Sequence, residues 1–368
     1  MRADDGSFAS VLRRAWRDNA LFAVLVELTY RCNLDCFFCY NDLGLAGEPM
    51  TTPEWVRLFE DLRDMQVLNL TLSGGEPLAH PDFFFLGRKA RDLGFVVRVK
   101  SNGHALGGTL ARRLRDDVDP YLVEVSLHGA RAETHDRQTR VSGSFERLLR
   151  NVGEMLAVGL RVKMNATLTA WNEAEVDGMF AVADALGVPL QIDPEVTPRD
   201  DGDRTPLSIA SSREGRLRLL RLEFERGEAA AARGGAGMAA EQSGVASQPA
   251  GSDEKHCGAG SSGIAIDPHG NVHPCVQWRR PVGNLHKASI REIWATSRGL
   301  DEVRSTTVAA KAVVAGHGAA GPLLNFCPGL AASHGDALAV YPDAVERASL
   351  IREVQEERKR TPLRVLPR

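Results

Sequence analysis

Between residues 22 and 192 short apolar, β-branched runs alternate six times with stretches whose apolar residues recur at helical spacing. The runs are FAVLVEL (22–28), VLNLTL (67–72), FVVRVKS (95–101), YLVEVSL (121–127), LRVKMNATL (160–168) and VPLQI (188–192). Between the first two, TTPEWVRLFEDLRDM sets Trp55, Leu58, Phe59 and Leu62 on one face, with Thr51 or Thr52 as N-cap and Pro53 at the first helical position. Further helices are expected over 81–94, closed by Gly94, over 108–117, over 144–159 with Ser144 as cap, and over 172–187. Repeated β–α units with short connections dictate a parallel sheet, right-handed crossovers and helices outside it. Six units fall short of the eight of a closed barrel, so the expectation is α/β, an open partial (βα)6 TIM-type barrel. Its chemistry should lie beyond the C-terminal strand ends.

The alternation stops near residue 200. The chain then divides into an N-terminal helical segment (1–20), the barrel (21–205), a helix with a flexible Gly/Ala/Ser-rich linker (206–255) and a small C-terminal extension (256–368). The extension opens with short β-like pieces and a turn at DPHGN. A short helix SIREIWA, a low-complexity stretch and a final helix near 344–359 follow.

Net charge is −3, so no basic field argues for nucleic acid. No apolar run reaches the roughly 18 residues of a membrane helix. The N-terminus lacks the apolar core of a signal peptide, which points to the cytoplasm and no membrane partner. In that compartment clustered cysteines are metal ligands or catalytic groups rather than disulfides. The 6 cysteines fall into two trios. Cys32, Cys36 and Cys39, spaced Cys-x3-Cys-x2-Cys, directly follow the first strand. Three thiolates can hold three irons of a [4Fe–4S] cluster and leave the fourth iron open. A zinc knuckle would need four protein ligands, and no histidine lies near this trio in sequence. At the end of the second strand, TLSGGEP brings Gly74, Gly75, Glu76 and Pro77 to the same cleft. Two glycines allow close backbone approach to a ligand, and Glu76 can accept a hydrogen bond from an amine.

These two motifs, in this order and on these elements, resemble the radical S-adenosylmethionine (SAM) enzymes over roughly residues 20–200. The aromatic Phe38 before the third cysteine belongs to that pattern. The resemblance implies that SAM chelates the open iron through its amino and carboxylate groups. An electron from the cluster then cleaves a carbon–sulfur bond, and the 5′-deoxyadenosyl radical abstracts hydrogen from substrate. It further implies that GGEP serves the amino group, Phe38 packs on adenine, and Ser101 or Asn102, Ser126 and Asn165 hold ribose and carboxylate. Arg137 or Arg140 would meet the carboxylate, and a flavodoxin or ferredoxin would supply electrons.

The second trio is Cys257, Cys275 and Cys327. Gly270 to Cys275 reads Gly-x4-Cys, and with GNLHKASIREIW it is similar to the SPASM or twitch extension, which carries auxiliary iron–sulfur clusters. Leu324 stands where that pattern would place another cysteine, so the resemblance implies one auxiliary [4Fe–4S] cluster rather than two. The competing reading is a Cys3His zinc site using His256, His269 or His273. Enzymes with this extension modify ribosomally made peptides, so crosslinking, epimerisation or oxidation of a peptide is the expected function. The rivals are a dehydrogenase or epimerase of a small molecule such as a sugar, and a non-catalytic iron–sulfur or zinc scaffold. The intact GGEP argues against a scaffold. About 20 residues before the first strand are too few for a leader-binding domain, so a separate recognition protein is expected to deliver a peptide.

Overall fold

The computed structural model describes residues 8–42, 44–232 and 255–360. A helix, α1 (Phe8–Asp18), leads into six parallel strands: β1 (Ala23–Glu27), β2 (Asn69–Ser73), β3 (Val96–Ser101), β4 (Leu122–Ser126), β5 (Val162–Thr167) and β6 (Leu190–Asp193). Each pairs with its sequence neighbour, and β6 lies at one edge of the sheet instead of returning to β1, so the barrel is open. The connections carry α2 (Thr52–Asp64), α3 (Phe83–Asp92), α4 (Gly108–Arg113), α5 (Ala132–Thr139), α6 (Ser144–Ala157) and α7 (Val176–Ala185).

Side chains alternate across this sheet. Val24, Val26, Leu70, Leu72, Val97, Val99, Val123, Val125 and Met164 are buried against Trp55, Phe59, Leu62, Leu86, Leu148 and Met155. The intervening positions hold Arg98, Lys100, Glu124, Lys163, Asn165 and Gln191. Buried parallel strands usually read as continuous apolar runs. Here the inner face is polar and solvent-reached: the Lys100 side chain keeps 42% exposure while donating to Glu124 Oε2 at 3.0 Å. An open barrel with such an interior is a recess for a polar ligand, not a packed core.

One of two helix starts matches the sequence reading and the other differs. Thr51 and Glu54 form a capping box on α2, with Thr51 N donating to Glu54 Oε2 at 2.7 Å. On α6, however, the N-cap is Gly143, at φ 75°, and not Ser144. Asp136, from the preceding helix, accepts from Gly143 N, Ser144 Oγ and Phe145 N, so a tertiary contact supplies the cap.

After β6 come α8 (Arg213–Ala232), the strands β7 (Gly263–Ile266), β8 (Asn271–His273) and β9 (Gly283–Asn284), and the helices α9 (Ile290–Thr296), α10 (Arg298–Gly316), α11 (Pro328–Ser333) and α12 (Pro342–Arg360). Most of the stretch read as low-complexity is the second half of α10. It is alanine-rich, and alanine is the best helix former. The linker expected at 233–255 lies almost wholly outside the described residues. The extension is not a detached layer. β7 pairs in parallel with β1, and β8 and β9 follow antiparallel, so one nine-stranded sheet runs from β6 through β1 to β9. α8 joins the two halves: Arg218 pairs with Asp177 on α7, and Arg221 with Glu357 on α12. Leu217 and Leu220 pack on Leu350, Ile351 and Val354.

Candidate active site

The loop after β1 carries Cys32, Cys36 and Cys39, all free thiols. Asp35 N donates to Thr139 O and Phe37 N to Gln138 O, which fixes the loop on the end of α5. Arg140 donates to Asp35 Oδ2 at 3.0 Å and lies over the Phe37 ring. Arg137 sits 4.0 Å above Trp171, and Trp171 packs on Phe37 at 5.0 Å. Both candidate arginines therefore line this loop. Arg140 is already neutralised, whereas Arg137 has no carboxylate partner among the described residues. The helix that bears Arg137 and is capped by Arg140 escaped the sequence reading because its buried face is Thr134, His135, Gln138 and Thr139, with no apolar period to reveal it.

Burial pushes the thiols of Cys32, Cys36 and Cys39 up. Cys36 feels the charges of both other sulfurs, so the three lie within electrostatic reach of one another. Backbone N–H groups of Leu34 and Asn41 point at Cys32 and Cys39. Closely spaced, mutually repelling thiolates with Cys32 at the exposed edge and Cys36 and Cys39 half-buried need a multiply charged cation, and N–H donors aimed at sulfur suit an iron–sulfur cluster. No group of three or more His, Cys, Asp or Glu among the described residues is arranged for a single metal ion.

The GGEP turn leans on that loop. A Cβ on Gly74 (φ 142°) would lie 2.3 Å from Thr29 O. One on Gly75 would lie 2.6 Å from Tyr30 O and 2.8 Å from Arg31 O. Gly75 N donates to Thr29 O and Glu76 N to Arg31 O, at 2.8 and 2.9 Å. The glycines thus bring the turn onto the backbone entering the cysteine loop, where the sequence reading had them approach a ligand. Pro77 is buried and opens a short 3-10 turn. Glu76 is 2% exposed and accepts from Ser101 Oγ (2.9 Å), Asn102 N (2.8 Å) and Leu78 N (3.2 Å). Burial outweighs these bonds and pushes its carboxyl up to about 7.

The remaining expected residues divide. Ser101 is buried, and its hydroxyl serves Glu76 and Gly103 N, so it orients the carboxylate instead of facing a ribose. Asn102 joins that carboxylate to the loop: its Nδ2 donates to Asn33 Oδ1 at 2.8 Å and reaches Cys32 Sγ at 3.8 Å. Ser126 ends β4 opposite Asn165, and Asn165 Nδ2 donates to Glu124 Oε2 inside the barrel at 2.8 Å. Phe38 is half-buried and meets the edge of His128, ring centres 4.6 Å apart. His128 is a neighbour the sequence reading did not single out, although it sits in the strand-end segment VSLHG. Burial holds it neutral, its pKa lowered to about 3.

The second trio is assembled from three elements. Cys257 precedes β7, Cys275 follows β8, and Cys327 is the N-cap of α11. Cys257 feels the charge of Cys327, and Cys275 feels both others. Burial raises Cys257 to about 11 and Cys275 to about 12. Backbone N–H groups of Ala259, of Gln277 and Trp278, and of Gly329 and Leu330 point at the three sulfurs in turn. A Cβ on Gly329 would lie 2.9 Å from Gln277 O, so glycine is required where α11 meets the Cys275 loop. The donor set again fits an iron–sulfur group. Of the histidines in the zinc alternative, His256 Nε2 bonds Phe326 O and His273 Nε2 bonds Asp267, while the Nδ1 atoms of His269 and His273 are buried without a partner among the described residues.

The Radical SAM superfamily model matches residues 26–182, and the SPASM iron–sulfur cluster-binding domain model matches 257–313, short of Cys327. Mycofactocin maturase MftC of Mycobacterium tuberculosis is 30% identical over 300 residues, 79% of this chain and 74% of that protein. The AdoMet-dependent heme synthase of Methanosarcina barkeri is 26% identical over 302 residues (78% and 85%). The PqqA peptide cyclase of Rhizobium meliloti is 33% identical over 163 residues (44% and 43%). Among solved structures, anSMEcpe with bound AdoMet and a Cp18Cys peptide shares the fold at TM-score 0.68 and 15% identity, over 92% of this chain and 98% of that one. Streptococcus suis SuiB bound to its precursor peptide SuiA does so at 0.64 and 14%, over 80% and 70%. Family models, relatives and cysteine geometry agree that this chain belongs to the radical SAM superfamily, as an enzyme with a SPASM iron–sulfur domain.

Proposed function

We propose that this enzyme modifies a ribosomally made peptide by radical chemistry. The observation that carries the reading is the pairing of both cysteine sites in one continuous sheet, in a chain that a mycofactocin maturase matches over 300 residues and whose fold is shared by two proteins solved with peptides bound; a peptide cyclase matches over 163 residues. When bound, the first cluster and SAM supply a reductively generated 5′-deoxyadenosyl radical that abstracts hydrogen from substrate.

The chain's own residues set up that chemistry. Cys32, Cys36 and Cys39 would hold the first cluster. Glu76, fixed by Ser101 and Asn102, presents an acceptor for the cofactor amine, and Arg137 offers an unpaired charge for its carboxylate. Phe38 on His128 makes an apolar wall for adenine. The polar interior of β3–β6 receives the substrate. Cys257, Cys275 and Cys327 would hold one auxiliary [4Fe–4S] cluster. A flavodoxin or ferredoxin would act as reductant, and a separate small protein would present the peptide leader.

The test is anaerobic reconstitution with iron, sulfide, SAM and dithionite, followed by addition of a short peptide encoded beside this gene. Formation of 5′-deoxyadenosine with a mass change in the peptide supports the reading. Cofactor turnover with every such peptide unmodified overturns it. A small-molecule substrate is the second reading, favoured by the resemblance to the heme synthase, and would show as turnover with a tetrapyrrole or sugar.

A further inference from the structure

A buried carboxylate at the root of the cysteine loop depends on the C-terminal domain. Glu27, the last residue of β1, is fully buried. It accepts from Tyr30 Oη at 3.0 Å and Tyr40 Oη at 3.4 Å. Tyr30 stands two residues before Cys32, and Tyr40 directly after Cys39. One carboxylate therefore holds both stems of the loop.

The only ion pair to Glu27 among the described residues comes from Arg279, 252 positions downstream and four past Cys275. Arg279 donates through both terminal nitrogens, at 2.9 and 2.6 Å. Its Nε lies 3.1 Å from Asp200 Oδ2, and its guanidinium sits over the Tyr40 ring, 5.4 Å from the centre. Asp200 N in turn donates to Tyr40 O at 2.8 Å. Among the described residues Arg279 is thus the single cation paired with both carboxylates, and it touches the residue next to Cys39. A planar fork can satisfy this geometry where a point charge cannot.

We propose that Arg279 is a positioning residue for the SAM-cleaving centre, through which the auxiliary domain sets the shape of the first cysteine loop. Removing it leaves Glu27 buried without a counter-charge, and that carboxylate can regain water only by opening the tyrosine stems of the loop. The inference rests on the reading that Cys32, Cys36 and Cys39 hold the first cluster.

The test uses the full chain, reconstituted anaerobically, with R279M, R279K, E27Q and the double variant E27Q/R279M. The readouts are SAM affinity, the SAM-induced change in the cluster's EPR spectrum, and iron content. R279M should weaken SAM binding about tenfold or more while the auxiliary iron is kept. R279K should fall between R279M and wild type. The double variant should recover to within about threefold of wild type, because the fully buried carboxylate is neutralised and the one that remains, Asp200, is an exposed residue within reach of water. Should R279M fail to fold, the ordering of R279K, the double variant and wild type decides the question alone. SAM affinity unchanged in R279M or R279K overturns the proposal, as does a double variant no better than R279M. If C32A/C36A/C39A protein still gives the SAM-dependent spectrum, the cluster assignment itself falls, whatever Arg279 does.

Discussion

The two cysteine sites solve one problem in opposite ways. The first is local: eight residues after one strand carry all three thiols, and neighbouring strand ends carry Glu76 and Asn102. The second is tertiary: its thiols come from before β7, after β8 and the start of α11. Yet both use the same devices. Each takes its thiols partly out of water, apart from the exposed Cys32, aims backbone N–H groups at them, and rests on a glycine pressed against a carbonyl, Gly75 on Tyr30 and Gly329 on Gln277. A compact motif keeps its thiols together by chain connectivity and takes only its shape from distant groups such as Arg279, whereas a site built from distant segments loses the thiols themselves when any one of them shifts.

The largest effect should come from the local site. Replacing Cys32, Cys36 and Cys39 with Ala should abolish 5′-deoxyadenosine formation under dithionite, measured by chromatography. Formation at the wild-type rate would remove the loop from the chemistry. The C257A/C275A/C327A variant should separate the sites. Wild type should hold about eight irons, and this variant about half. It should still cleave SAM without substrate but lose product. An unchanged iron count would mean that the second trio holds no cluster.

Smaller effects probe what surrounds the thiols. Glu76→Ala should weaken SAM binding by roughly 1.5–3 kcal/mol with iron retained, since a charge-assisted acceptor is lost. Calorimetry that finds equal affinity would exclude the turn from the cofactor site. Because the Glu76 carboxyl is raised to about 7 by burial, the folded protein holds that proton longer than the unfolded chain. Its stabilising contribution is full below the ordinary value of 4.5 and is lost as pH rises through about 7. Glu76→Gln should flatten the thermal midpoint over that window, and a midpoint that keeps the wild-type slope would assign the slope to other groups. Gly329→Ala should have the smallest effect, about 1–3 kcal/mol of local overpacking. Auxiliary iron should fall while SAM cleavage persists. Iron loss from both sites would show that they are not separable.

Much of this was legible in the sequence. Strand order, the open barrel and the first cysteine loop follow from periodicity and spacing, because β–α units and a Cys-x3-Cys-x2-Cys loop are made of near neighbours. Ser101, Ser144 and α5 were not, since their roles depend on partners such as Glu76 and Asp136 or on a buried polar face without an apolar period. The zinc alternative also looked open while three histidines stood near Cys257 and Cys275. The match of the SPASM iron–sulfur cluster-binding domain over residues 257–313 is what favours the cluster.

The sequence by itself determined which thiols exist, that three of them share one loop, and that this loop leaves the first strand of a parallel sheet. The tertiary structure decided the rest. It placed Cys327 beside Cys257 and Cys275, continued the barrel's sheet from β1 into β7, and brought Arg279 to Glu27. The physical reason is that strand periodicity and motif spacing act over a few residues, where the chain itself fixes the distance. Electrostatic compensation of a buried carboxylate and close packing of backbone on backbone act across space, and no local pattern encodes which distant segment will provide them.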